Sequence, residues 1–308
     1  MLLKLLKYDM KAVFRTWWFI LPILFVLILI DAAAARVLTQ SIVEMTGESS
    51  SSLMNSLEGT GGQGLLAFIL ILAVFVSYFT LIVVSGILLN SPIYSYVHVF
   101  LRFYTNLFTD EGYLTFTLPA KRSTVLLAKT LNAIIWIGLH NLILAAGGVF
   151  IFLVGIPTVD NDILFGFTGA WELLKALYSM VVSSYGWGIV IIAEVILLMI
   201  FNILASITIL QFCFTLGSII VKRGKLFAGI GVYYLVQGVL PGITTFLCYV
   251  FCGAFGTVIA LVAEMSTDFT IGAMVAIVLA MFNLLVLLEG HLFYLVTRNC
   301  LERKLNLV

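Results

Sequence analysis

The sequence predicts an all-α, polytopic membrane protein: six transmembrane helices, an N-terminal interfacial amphipathic helix ahead of them, and a cytoplasmic coupling helix between spans 2 and 3. Three observations carry the main part of this prediction. Apolar residues make up 62% of the 308 residues and charged residues only 10%, against about 25% charged in a soluble domain, so too few charges remain to cover a water-facing globule. Six apolar blocks, about 17–35, 65–90, 126–154, 188–216, 226–262 and 272–296, are long enough to cross a hydrocarbon core of about 30 Å, which takes roughly 20 helical residues. The charges are also sorted by side. With six crossings, 14 of the 16 Lys and Arg share the side of both termini, and the exceptions are Arg36 and Lys175. The opposite loops hold Glu44, Glu48, Glu58, Asp160, Asp162, Glu172, Glu264 and Asp268. Positive charge marks the cytoplasmic face, so both termini are expected in the cytoplasm and residues 1–308 read as a single domain in the plasma membrane. A net charge of +1 implies no nucleic-acid-binding surface.

Within residues 1–16, Leu2, Leu3, Leu6, Met10 and Val13 fall on one helical face and Lys4, Lys7, Lys11 and Arg15 on the other. This is the pattern of a helix lying in the inner headgroup region with its cations toward anionic membrane lipids. Trp17 and Trp18 then mark where the chain dips into the bilayer. Ala32 to Ala35 have the small-residue character of a cleavage site, but the leader is longer than a basic n-region and Asp31 interrupts the approach, so a retained first span is expected.

The segment 36–64, which contains "TGESSSSLMNSLEGTGGQG", lacks apolar periodicity and reads as an outer loop. In 155–187, Trp171, Leu174, Leu177 and Tyr178 recur at helical spacing with Glu172 and Lys175 between them, which predicts a short amphipathic helix on the outer leaflet. The block 226–262 is too long for one crossing and contains "GVLPG", so it is either one long kinked helix or a span followed by a re-entrant hairpin over 243–262. Gly238, Gly242, Gly253 and Gly256 would allow close helix approach there.

Enzyme signatures are absent from the sequence: there is no GxSxG, no HExxH and no P-loop, and "GSIIVKRGK" at 217–225 has the wrong spacing for one. His98, His140 and His291 are scattered; the cysteines, Cys213, Cys248, Cys252 and Cys300, form no disulfide framework, and Cys248 and Cys252, four apart on one helical face, read as small buried apolar residues. No catalytic residue, metal site or cofactor is therefore expected on this chain. Inside the apolar blocks lie Glu194, Asn202, Gln211, Asn283 and Glu289. A charge at mid-membrane costs roughly 2.5–3.5 kcal/mol on insertion scales and usually faces a cavity or a partner. Asn and Gln can serve simply as interhelical hydrogen bonds, each contributing about 0.6 kcal/mol. Glu289 and His291 are close enough to the inner surface, and Glu194 to the outer, to reach water.

Between spans 2 and 3 runs "TDEGYLTFTLPAKRSTVLLAKTL". Asp110 and Glu111 precede Gly112, then Tyr113, Leu114, Phe116 and Leu118 form an apolar knob ended by Pro119. By composition this is either a docking knob for another protein or a short helix packed on the chain's own helix ends. The stretch resembles the inner-loop signature of ABC transporter permeases of the type-2 exporter superfamily, in the form found in Gram-positive bacteria. Glu111, Gly112, Leu118, Pro119, Leu126, Leu127 and Lys129 fall on that pattern, while Tyr113 replaces a frequent threonine.

The resemblance implies that Asp110 to Pro119 form a coupling helix seated in a separate P-loop ATPase subunit, present in two copies and carrying ATP and Mg. It also implies a second permease subunit, identical or not, and a path between the facing second and fifth spans. An apolar path without fixed charge suits an amphipathic substrate such as a peptide antibiotic, drug or lipid. Two other readings are a secondary carrier or channel, with Glu194, Asn202, Glu289 and His291 as its ion path, and a non-transporting scaffold or sensor.

Overall fold

Where no water is available, a backbone must satisfy its own hydrogen bonds, and long apolar runs become helices. The computed structural model describes residues 2–46, 62–109, 112, 117, 121–155, 171–172, 175–176, 178–179, 187–221, 223–262 and 267–303. Among these, seven long helices form: α1 (Leu2–Trp17), α2 (Ile20–Thr46), α3 (Gly62–Phe108), α4 (Arg122–Gly155), α5 (Gly188–Ile220), α6 (Lys225–Val262) and α7 (Thr267–Arg303). Six of them, α2 to α7, are long and apolar enough to cross a membrane, and no strand occurs among the described residues.

Several helix ends depart from the apolar blocks. The break between α1 and α2 falls at Trp18 and Phe19, and α2 begins at Ile20 rather than 17. Pro22 lies in its first turn, where the missing N–H costs nothing. Helix α2 then continues past 35 to Thr46.

The larger difference is α3, which runs to Phe108 instead of stopping near 90. Beyond the most apolar run, Ser95, Val99, Phe103 and Leu107 recur every fourth residue and are all buried, so the extension is an ordinary amphipathic helix. Pro92 inside it removes the bond to the Leu88 carbonyl, and the Ser91 hydroxyl donates to that same carbonyl at 2.7 Å. The block at 226–262 lies in one continuous helix, α6, with Pro241 inside it.

By its contacts the chain divides into two units: Met1–Val13, Ser95–Gly138 and Tyr178–Val308 form the first, Phe14–Tyr94 and Leu139–Leu177 the second. In the first, α5, α6 and α7 pack together. Gly224, at φ 75°, makes the left-handed turn between α5 and α6. Gly217 and Gly229 then let the two backbones nearly touch, since a Cβ on Gly217 would strike the Gly229 backbone. Gly238, Gly242, Gly253 and Gly256 have nothing within 4 Å of such a Cβ. The second unit has its own core of Leu24, Ile28, Val84 and Leu88, closed by Ile143 and Leu144.

Candidate functional site

The stretch between α3 and α4 is mounted on a consolidated base in the first unit. Phe103, Leu107 and Phe108 from α3, Val125 and Leu126 from α4 and Leu301 from α7 form one buried cluster, with Leu5 of α1 against it. Large side chains near the helix ends supply this cluster, and Phe103 meets Phe108 edge-on at 5.8 Å. Two polar ties brace it. Arg122 donates to the Leu301 carbonyl at 2.8 Å, and the Lys129 ammonium donates to the Asp9 carboxylate at 2.6 Å. Both members of the latter pair are largely buried, with side chains 9% and 14% exposed. Ends of α1, α3, α4 and α7 are thereby locked around one point.

At the end of α3 the Gly112 N–H donates to the Thr109 carbonyl at 2.8 Å. Gly112 is buried, and a Cβ there would lie 2.5 Å from the Leu107 carbonyl oxygen, so this turn accepts only glycine without moving the backbone. Thr117 is helical and exposed. At the start of α4 the Lys121 carbonyl accepts from Thr124 and Val125. Of the expected coupling residues only Gly112 is described; Asp110, Glu111, Tyr113, Leu114, Phe116, Leu118 and Pro119 lie outside the described residues.

The expected membrane-surface cations Lys4, Lys7, Lys11 and Arg15 are all exposed on α1, and Val13 on its other face is buried. Trp171, Glu172, Lys175 and Tyr178 are helical and exposed, with Lys175 bonded to Glu172 at 2.9 Å and lying 5.8 Å from the centre of the Trp171 ring.

The intramembrane polar residues divide into separate arrangements. Asn283 donates to both the Glu194 carbonyl (3.0 Å) and its carboxylate (2.5 Å), which joins α7 to α5. The Thr130 hydroxyl bonds Gln211 at 2.9 Å and joins α4 to α5. Asn202 is exposed, and Glu289 is half-buried. His291 is exposed. Among the described residues no hydrogen bond links Glu289, Asn202 or His291 to the Glu194–Asn283 pair.

Two buried polar groups of the second unit were not among the sequence-derived candidates. Asp31 is 2% exposed, accepts from Ser85 at 2.8 Å, and leaves its other oxygen without a partner. His140 is fully buried, edge-on to Trp17 at 5.3 Å, with Nε2 2.9 Å from the Ser91 hydroxyl. Because Ser91 commits its proton to Leu88, hydrogen bonding assigns the His140 proton to Nε2. An acid inside an apolar block was the available signal for Asp31; His140 offered none, since a lone histidine declares no partner. Among the described residues no three His, Cys, Asp or Glu come together to hold a metal ion. No family model matches the chain, and no curated protein or solved structure matches it either.

Proposed function

We propose that this chain is the membrane-spanning permease subunit of an ATP-binding cassette exporter, set in the plasma membrane with both termini cytoplasmic. It pairs with a second permease subunit and two copies of a separate P-loop ATPase, which carry ATP and Mg. The supporting observation is that the stretch resembling a coupling segment leaves a base where α1, α3, α4 and α7 are bound by a buried cluster, an ion pair and an arginine–carbonyl bond. A mechanical input at 110–119 needs such a base, because force delivered to a loose loop would be absorbed there rather than passed to the helices. Two long helices start from this base, so a small displacement of the loop tilts both. Amphipathic molecules such as peptide antibiotics, drugs or lipids fit an apolar path.

The test is to purify the tagged protein from its native membranes in mild detergent, identify what accompanies it by mass spectrometry, and measure ATP hydrolysis. The wild type should retain a P-loop ATPase and hydrolyse ATP. The Glu111→Lys variant should lose both while its unfolding temperature stays unchanged. A wild-type preparation without an ATPase overturns the proposal.

A further inference from the structure

Helix α1 has two unlike faces. Leu5 packs against the base cluster, Asp9 pairs with Lys129, and Val13 and Trp17 are buried, so this stripe of every fourth residue is turned to the protein itself. Opposite it, Lys4, Lys7, Lys11 and Arg15 are exposed together with Leu3, Tyr8, Phe14 and Trp18. At 3.6 residues per turn these eight fall within about 140° of the helix circumference. The side left open therefore mixes cations with aromatic rings, and Phe14 lies 5.8 Å from Trp18 between ring centres.

Only Trp18 and Phe19 separate α1 from the spanning run that opens at Ile20, so chain connectivity keeps this face beside a membrane surface. Its charge is unbalanced: Asp9 is the one acid in α1, and Lys129 already takes it. Among the described residues none of the four cations forms an ion pair. Lys4 and Lys7, Lys7 and Lys11, and Lys11 and Arg15 are three or four residues apart, the spacing at which like charges oppose a helix. Lys4 also lies in the first turn, where the macrodipole disfavours a cation. At 16 residues α1 is close to the length at which a helix is marginal without support. A surface of anions removes the repulsion, and tyrosine and tryptophan rings suit the headgroup level beside it.

We infer that this face docks on anionic phospholipid headgroups, and that the tie from α1 to α4 is firm only when it does. With headgroups in place α1 stays helical and Asp9 is held at Lys129; without them α1 opens and the pair is lost more often. Lipid charge thereby regulates the base whatever the chain transports, so the inference does not depend on the exporter reading.

Hydrogen exchange of the α1 amides in full-length protein tests this, in nanodiscs of dioleoylphosphatidylcholine with and without dioleoylphosphatidylglycerol. Phosphatidylglycerol should slow their exchange by about tenfold or more. The difference should shrink in 1 M salt, where the screening length falls to about 3 Å. Lys4→Gln, Lys7→Gln, Lys11→Gln and Arg15→Gln together should abolish the response, while Lys4→Arg, Lys7→Arg and Lys11→Arg together should keep it, because charge is what the surface reads. A photoreactive phosphatidylglycerol on the unaltered protein should label segment 3–18, a readout independent of how the variants fold. Exchange unchanged by phosphatidylglycerol, a four-glutamine variant that responds as the wild type does, or labelling confined to other segments would each overturn the inference. Cross-linking of α1 in native membranes to an acidic protein instead of lipid would also overturn it and assign the face to that partner.

Discussion

The base under the α3–α4 connection and the interior of the second unit solve the same problem by different means. At the base, near helix ends, a full ion pair joins Lys129 to Asp9, supported by Arg122 on a carbonyl. In the second unit the polar groups are held by hydroxyls: Ser85 on Asp31, and Ser91 on His140. A buried ion pair must offset the desolvation of two charges, while a hydroxyl supplies a hydrogen bond without adding charge. The first region ties four helices together through charge and backbone, and the second satisfies each buried group with a single hydroxyl.

The sharpest way to break this contrast is Asp9→Ala, which takes the carboxylate from a largely buried ammonium and should cost about 3–5 kcal/mol. Thermal unfolding of the purified protein in detergent measures it, and pairing Asp9→Leu with Lys129→Met should restore most of the loss. Stability equal to wild type in the single variant would mean that the pair does not hold the base. Ser91→Ala should cost less, about 1–3 kcal/mol, by depriving both the Leu88 carbonyl and His140. Adding His140→Leu should recover part of that, and a double variant worse than the sum would reverse the neutral-partner reading.

Smaller still is Asp31→Asn. It keeps an acceptor for Ser85 and exchanges the unpartnered carboxylate oxygen for an uncharged amide NH2, so the relief of a buried charge and the cost of a buried donor oppose each other and stability should change by less than about 1 kcal/mol. A clear loss in the same assay would reveal a charge partner for Asp31. Lys175→Ala, which removes an exposed pair, should shift unfolding least, by about 0.5 kcal/mol or less.

Much of the architecture was legible in advance because its cause is local. A run of some twenty apolar residues needs no tertiary information to become a spanning helix, and α4 to α7 follow their blocks closely. Helix α3 runs beyond its apolar block, where "SPIYSYVHVFLRFYTNLF" mixes polar and aromatic residues. Only its four-residue repeat of buried positions, which depends on what it packs against, reveals the continuation. The candidate polar residues were visible as types but not as pairs: nothing in the spacing of Glu194 and Asn283, or of Thr130 and Gln211, says that they meet.

The sequence by itself determined an all-helical chain with six apolar segments and a strongly one-sided distribution of Lys and Arg. Those properties follow from transfer free energies that each segment carries alone. Tertiary structure decided which polar groups neutralise one another, and where the two backbones touch at Gly217 and Gly229. Such outcomes depend on distances between residues far apart in the chain, and helical periodicity determines only which face of its own helix a residue occupies.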